Sequence, residues 1–197
     1  MYQLIGHPHS RAFRVLWFLE EAGLPYTLDP ASPHSDAVTA HNPSGKVPVL
    51  IEDGVALTDS TAILIYLADR HGVLAHPAGT LERARQDALT QCLLDEFDAT
   101  LWTAARHSFV LPEDRRLPAI KDSLKWEFAR SLARMADRFD GPFLQGETMT
   151  IADIIATHCL NWAYSAGFPV ESDTLKAYSK RMRARDAFTR AAAAGAG

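Results

Sequence analysis

The sequence changes character between Gly72 and Arg83. Before that point short apolar runs alternate with turn residues. After it the apolar residues recur at helical spacing. Those two periods build different layers, so the fold class expected is a small α/β unit followed by an all-α one. A chain of 197 residues is long enough to bury a core in each.

The first part reads as strand, helix, strand, then strand, strand, helix. "MYQLIG" is a short apolar strand ending at Gly6, "HPHS" a turn, and "RAFRVLWFLEEAG" a helix that stops at Gly23. "LPYTLDP" is a candidate second strand, and residues 31–41 are polar and irregular. "KVPVLIEDGVALTD" reads as two strands about Asp53-Gly54, because Asp-Gly between apolar runs is a hairpin signal. "STAILIYLADRHG" is helical, with Ser60 as its cap and Gly72 at its stop. Within this part Pro48 interrupts an otherwise good strand. Proline cannot donate to a ladder, so it marks either an edge strand or a cis bond that turns the preceding backbone outward.

The second part holds four expected helices, in "RARQDALTQCLLDEFDATLWTAARHSFV", "AIKDSLKWEFARSLARMADRF", "TIADIIATHCLNWAYSAG" and "TLKAYSKRMRARDAFTRAAAA". Pro112 and Pro118 break the pattern between the first two. The expected division is a domain over 1–74, a linker over 75–84 and a helical domain over 85–197. Thr150 followed by Asp153 is a capping box with Asp in place of Glu, expected to serve folding rather than catalysis.

Charge and cysteine usage narrow the function. Residues 1–74 carry 4 Lys/Arg against 8 Asp/Glu, and the rest are balanced, so no basic stripe supports a nucleic-acid partner. No apolar run approaches the roughly 20 residues of a membrane span. Cys92 and Cys159 are far apart in apolar helical stretches and read as buried reduced thiols, with no Cys-x-x-Cys for redox or zinc chemistry. The chain opens on strand-like sequence without a signal-peptide pattern, and a cytoplasmic location is expected. His7 and His9 flank Pro8 with no third clustered ligand, so no metal is expected.

Five stretches in order carry a family resemblance: "HSRAFRVLWFLEEAGLPYT", "NPSGKVPVL", "LTDSTAILIYLAD", "TMTIADI" and "LKAYSKRMRARDAF". With them the chain resembles the cytosolic glutathione transferases from residue 2 to about 194. The resemblance implies a thioredoxin-like domain with a cis-proline, then an all-helical domain. It implies glutathione as co-substrate, a small electrophile as second substrate, and a homodimer. The activity implied is conjugation of the glutathione thiolate to small apolar electrophiles. Peroxidase, isomerase or dehalogenase chemistry, or a non-catalytic scaffold of the same fold, are the alternatives. A glutaredoxin-like oxidoreductase needs a cysteine where Ser10 and Arg11 stand.

The resemblance assigns the site residues. Ser10, four residues before Arg14, matches the spacing of serine-type members, where the hydroxyl favours a thiolate on glutathione. The other reading of Ser10 is a helix N-cap. Val47, before a cis Pro48, offers its backbone to the cysteinyl part as an added strand would. Asp59 and Ser60 at a helix start suit the γ-glutamyl group, Asp59 for the amine and Ser60 for the carboxylate. Lys46 is the candidate for the glycine carboxylate, with His34 and His41 as further donors. His9, Trp102, Arg106 and Phe109 are candidates for the electrophile pocket.

Overall fold

A computed structural model describes residues 1–194. They form two compact units, one of residues 1–78 joined by the chain from Met182 onward, the other of residues 79–181.

The first unit is built on a four-stranded sheet in the order β2-β1-β3-β4. Strand β1 (Tyr2–Ile5) runs parallel to β2 (Tyr26–Asp29), with helix α1 (Ala12–Ala22) as the crossover. It runs antiparallel to β3 (Val49–Glu52), which pairs antiparallel with β4 (Val55–Thr58). This is the expected thioredoxin-like arrangement. Asp53 and Gly54 between β3 and β4 both have positive φ, 49° and 81°, as a two-residue hairpin turn requires. A short helix α2 (Asp36–Thr39) lies in the segment expected to be irregular. Its one buried residue, Val38, packs with Ile5 and Val49, so a tertiary contact holds a turn too short to show periodicity.

Helix α1 is the centre of this unit. Val15, Leu16, Trp17, Phe18 and Leu19 are fully buried, a continuous run that no one-faced helix needs. The second face is covered by α9 (Asp186–Ala193): Phe188 meets Phe13 and Trp17 edge-on, each at 5.0 Å between ring centres. Arg185 forks onto Glu21 at 2.6 and 2.9 Å, and Arg190 Nε reaches Glu20 at 2.7 Å. The single last helix expected over 174–194 is therefore two, α8 (Asp173–Arg183) and α9. Between them Arg185 is extended, φ −68° and ψ 140°, and that break lets α9 lie against α1.

Helix α3 (Ser60–His71) completes the unit. Its cap corrects the sequence expectation. Asp59, not Ser60, is the N-cap, and its Oδ1 accepts from the N–H groups of Thr61 and Ala62 at 2.9 and 3.0 Å.

The second unit is helical. The long first helix is α4 (Leu81–Cys92) and α5 (Ala99–Ala105), with π-helical stretches over Leu93–Asp98 and Arg106–Val110. Helices α6 (Ile120–Asp137) and α7 (Ile151–Ser165) follow. Asp153 is fully buried at the start of α7. It accepts from the N–H of Thr150 (2.8 Å), the N–H of Leu144 (2.9 Å) and the Tyr178 hydroxyl (2.9 Å). Burial pushes its carboxyl up, against the pull of these donors. Among the described residues no helix is long and apolar enough to cross a membrane.

Candidate glutathione site

Three segments of the first unit meet around Gly6, at the end of β1. Gly6 has φ +144°, and a Cβ there would lie 2.9 Å from the Ala12 Cβ and 3.0 Å from the Val47 Cβ. Only glycine allows this approach, which brings the start of α1 and the Val47–Pro48 segment to one place.

At the start of α1 the hydroxyl of Ser10 is used twice. It donates to the His7 carbonyl at 2.6 Å and accepts from the Ala12 N–H at 3.1 Å. Ser10 is half-buried, so a ligand can reach it. The turn before it is ordered by its histidines: His7 Nδ1 accepts from the His9 N–H at 3.1 Å, and the two rings stack at 5.1 Å. His9 itself is exposed. Tyr2, at the other end of β1, has its hydroxyl 2.8 Å from His71 Nε2.

The Val47–Pro48 peptide is cis. Among the described residues neither the N–H nor the C=O of Val47 has a hydrogen-bond partner, although both groups of Lys46 before it do. An unpaired backbone pair beside β3 is a short edge on which an extended peptide can add. Just before it, His34 lies over Gly45: a Cβ on Gly45 would fall 2.0 Å from His34 Nδ1. The His34 N–H donates to the Gly45 carbonyl at 2.8 Å. His34 and Lys46, both exposed, are thus brought side by side across one glycine.

At the start of α3, Asp59 adopts φ 70° and ψ 121°, a conformation uncommon for a residue with a side chain. Its two bonds to Thr61 and Ala62 hold it there. Those bonds also occupy two first-turn donors, which the sequence had left open to a ligand. The Ser60 N–H remains without a protein acceptor among the described residues, and the Ser60 hydroxyl accepts from Arg14 Nη1 at 3.4 Å. Arg14 is fully buried and Ser60 is 3% exposed. In the sequence Arg14 is marked only by its spacing from Ser10. The signal for its place was available, since it stands one helical turn after Ser10 on a face that is otherwise apolar.

The three candidates of the second unit lie along one helix. Trp102 is half-buried on α5. Arg106 opens the second π-helical stretch and donates to the Thr103 hydroxyl at 3.0 Å. Phe109 is 69% exposed.

Comparison with known proteins shows the family. Residues 10–70 match the family model for the glutathione S-transferase N-terminal domain, and residues 99–186 that for its C-terminal domain. Human glutathione S-transferase theta-2B is 30% identical over 141 residues, 64% of this chain and 54% of that protein. Rat theta-2 is 30% identical over 169 residues, 78% and 66% of the two chains. The chain thus spans about half the length of the human theta-class relatives it matches. A glutathione transferase structure from Methylococcus capsulatus superposes with TM-score 0.85 at 26% identity, covering 100% of this chain and 99% of the other. One from Xylella fastidiosa superposes with TM-score 0.86 at 23% identity, over 100% and 99%, and speaks to the fold alone. The two domain models match in order along the chain, the first across the Ser10, Val47 and Ser60 segments, and the chain belongs to the glutathione S-transferase family.

Proposed function

We propose that this protein is a glutathione transferase that adds the glutathione thiolate to small apolar electrophiles. The observation that carries the reading is the unpartnered N–H and C=O of Val47, held by Gly6 next to the Ser10 turn. The cysteinyl residue of glutathione pairs with that edge, which delivers its sulfur to the start of α1. The Ser60 N–H and hydroxyl take the γ-glutamyl carboxylate, Asp59 attracts the α-amino group, and Lys46 with His34 takes the glycine carboxylate.

Ser10 acts as a hydrogen-bond donor to sulfur and forms no covalent bond. Its hydroxyl rotates from the His7 carbonyl to the thiolate while keeping the bond it accepts from the Ala12 N–H. Each unit by which the thiol pKa falls raises the thiolate fraction about ten-fold as long as the thiol predominates, and the thiolate is the nucleophile. Trp102, Arg106 and Phe109 of the helical unit, and His9 of the first unit, are the candidates for contacts to the electrophile. The protein works in the cytoplasm as a homodimer.

The test is the ultraviolet difference spectrum of bound glutathione across pH, for wild type and Ser10→Ala. A thiolate band below the pKa of the free thiol, lost in the variant, supports the reading. Binding with an unshifted thiol removes Ser10 as activator. No binding favours a non-catalytic scaffold.

A further inference from the structure

A cavity of about 170 Å³ lies within the helical unit, between the end of α4, the π-helical stretch 93–98 and the last turns of α6. Leu89, Leu93, Phe97, Met135, Phe139 and Leu144 are its apolar wall. Two guanidinium groups also reach it. That of Arg134 is already engaged, 2.5 Å from Glu96 and 3.1 Å from the Ser131 hydroxyl. Hydrogen bonds from Ser131 and Arg134 outweigh burial and hold the Glu96 carboxyl below its usual value, so this pair is internally neutral. Arg138 differs: exposed at the C-terminal cap of α6, it has no hydrogen-bond or ion-pair partner for its side chain among the described residues. The remaining polar wall group is the half-buried thiol of Cys92. Burial first, then the Glu96 carboxylate, push it up, so it stays protonated at neutral pH.

From this arrangement we infer that the cavity is a second small-molecule site, for aromatic monocarboxylates about the size of benzoate. An apolar cavity of about 150 Å³ is enough to take a benzene ring. The ring lies among the apolar walls, where Phe97 and Phe139 offer aromatic edges and faces. The carboxylate points outward to Arg138, the one lining cation left unneutralised among the described residues. A single free cation selects a monoanion. Glutathione, a tripeptide, is too large for a cavity of about 170 Å³.

The test uses the intact protein with 4-fluorobenzoate as probe, followed by fluorine NMR, together with the alkylation rate of Cys92 by iodoacetamide. Cys159 is 1% exposed and stays out of that reaction. Saturable binding is expected, with alkylation of Cys92 slowed several-fold by bound probe. Arg138→Gln should weaken binding about ten-fold, the worth of one charge-assisted hydrogen bond. Met135→Trp, which fills the cavity, should abolish both binding and protection while the circular dichroism stays native. Binding that leaves Cys92 alkylation unchanged, binding unaffected by Arg138→Gln, or no saturable binding at millimolar probe would each overturn the assignment.

Discussion

Arg14 and Ser60 meet at 3.4 Å in the interior of the first unit, one from α1 and one from the first turn of α3. The contact joins the helix that begins beside Ser10 to the helix whose start is proposed to hold the γ-glutamyl carboxylate. The guanidinium sets the direction in which the Ser60 hydroxyl presents its hydrogen. Arg14→Gln is therefore expected to weaken glutathione binding about ten-fold or more and to lower stability by about 2–4 kcal/mol, in the range for disrupting a buried charged group's partners. Calorimetric titration and urea unfolding check the two effects. Unchanged affinity in a folded, destabilised variant would make the contact purely structural.

Gly6→Ala probes the close approach of β1, α1 and Val47. The added Cβ has no room against Ala12 and Val47, and the φ of +144° disfavours it on its own account. A loss of about 1–3 kcal/mol is expected, as for overpacking or backbone strain. Glutathione affinity should fall with it, because Val47 must shift. Ala12→Gly in the same chain relieves the nearer clash, and partial recovery of affinity would locate the cause.

Asp153→Ala should be among the most damaging single changes in the helical unit. It strands the N–H groups of Leu144 and Thr150 and the buried hydroxyl of Tyr178. A cost of about 3–5 kcal/mol is expected, read by chemical denaturation. Tyr178→Phe, which removes one donor, should cost clearly less.

The ion pairs that fasten α9 to α1 predict an acid sensitivity. Burial alone would raise the Glu20 carboxyl, but hydrogen bonds from the Tyr26 hydroxyl and Arg190 hold it below its usual value. A depressed carboxyl stabilises the fold fully above the ordinary value of about 4.3, and that stabilisation is lost as pH falls through the folded value. The melting temperatures of wild type and Glu20→Gln should thus differ at pH 7 and converge below about pH 4. A gap that stays constant down to pH 3 would contradict this.

Much of this was legible in the sequence because the signals were local. Asp53-Gly54 specified its hairpin through the φ values that Asp and Gly tolerate. The spacing from Ser10 to Arg14 and the box from Thr150 to Asp153 each lie within one helical turn. The misreadings share a different cause. Ser60 looked like a cap because serine is a good one, yet its hydroxyl is taken by Arg14, forty-six residues away in sequence. The break at Arg185 and the helix at 36–39 likewise answer to distant partners, Glu21 and Ile5. Val47 could be singled out only by resemblance, since an unpaired peptide group leaves no mark on side-chain composition.

The seat of α9 on α1 also fixes an order of events during synthesis. Trp17 and Phe13 leave the ribosome early, and Phe188, which covers them, follows only after the whole helical unit has been made. Until then the first unit has its sheet but lacks one wall, and its two aromatic rings stay open to solvent or to whatever binds nascent apolar surface. The first unit is thus completed only after the helical unit has been made.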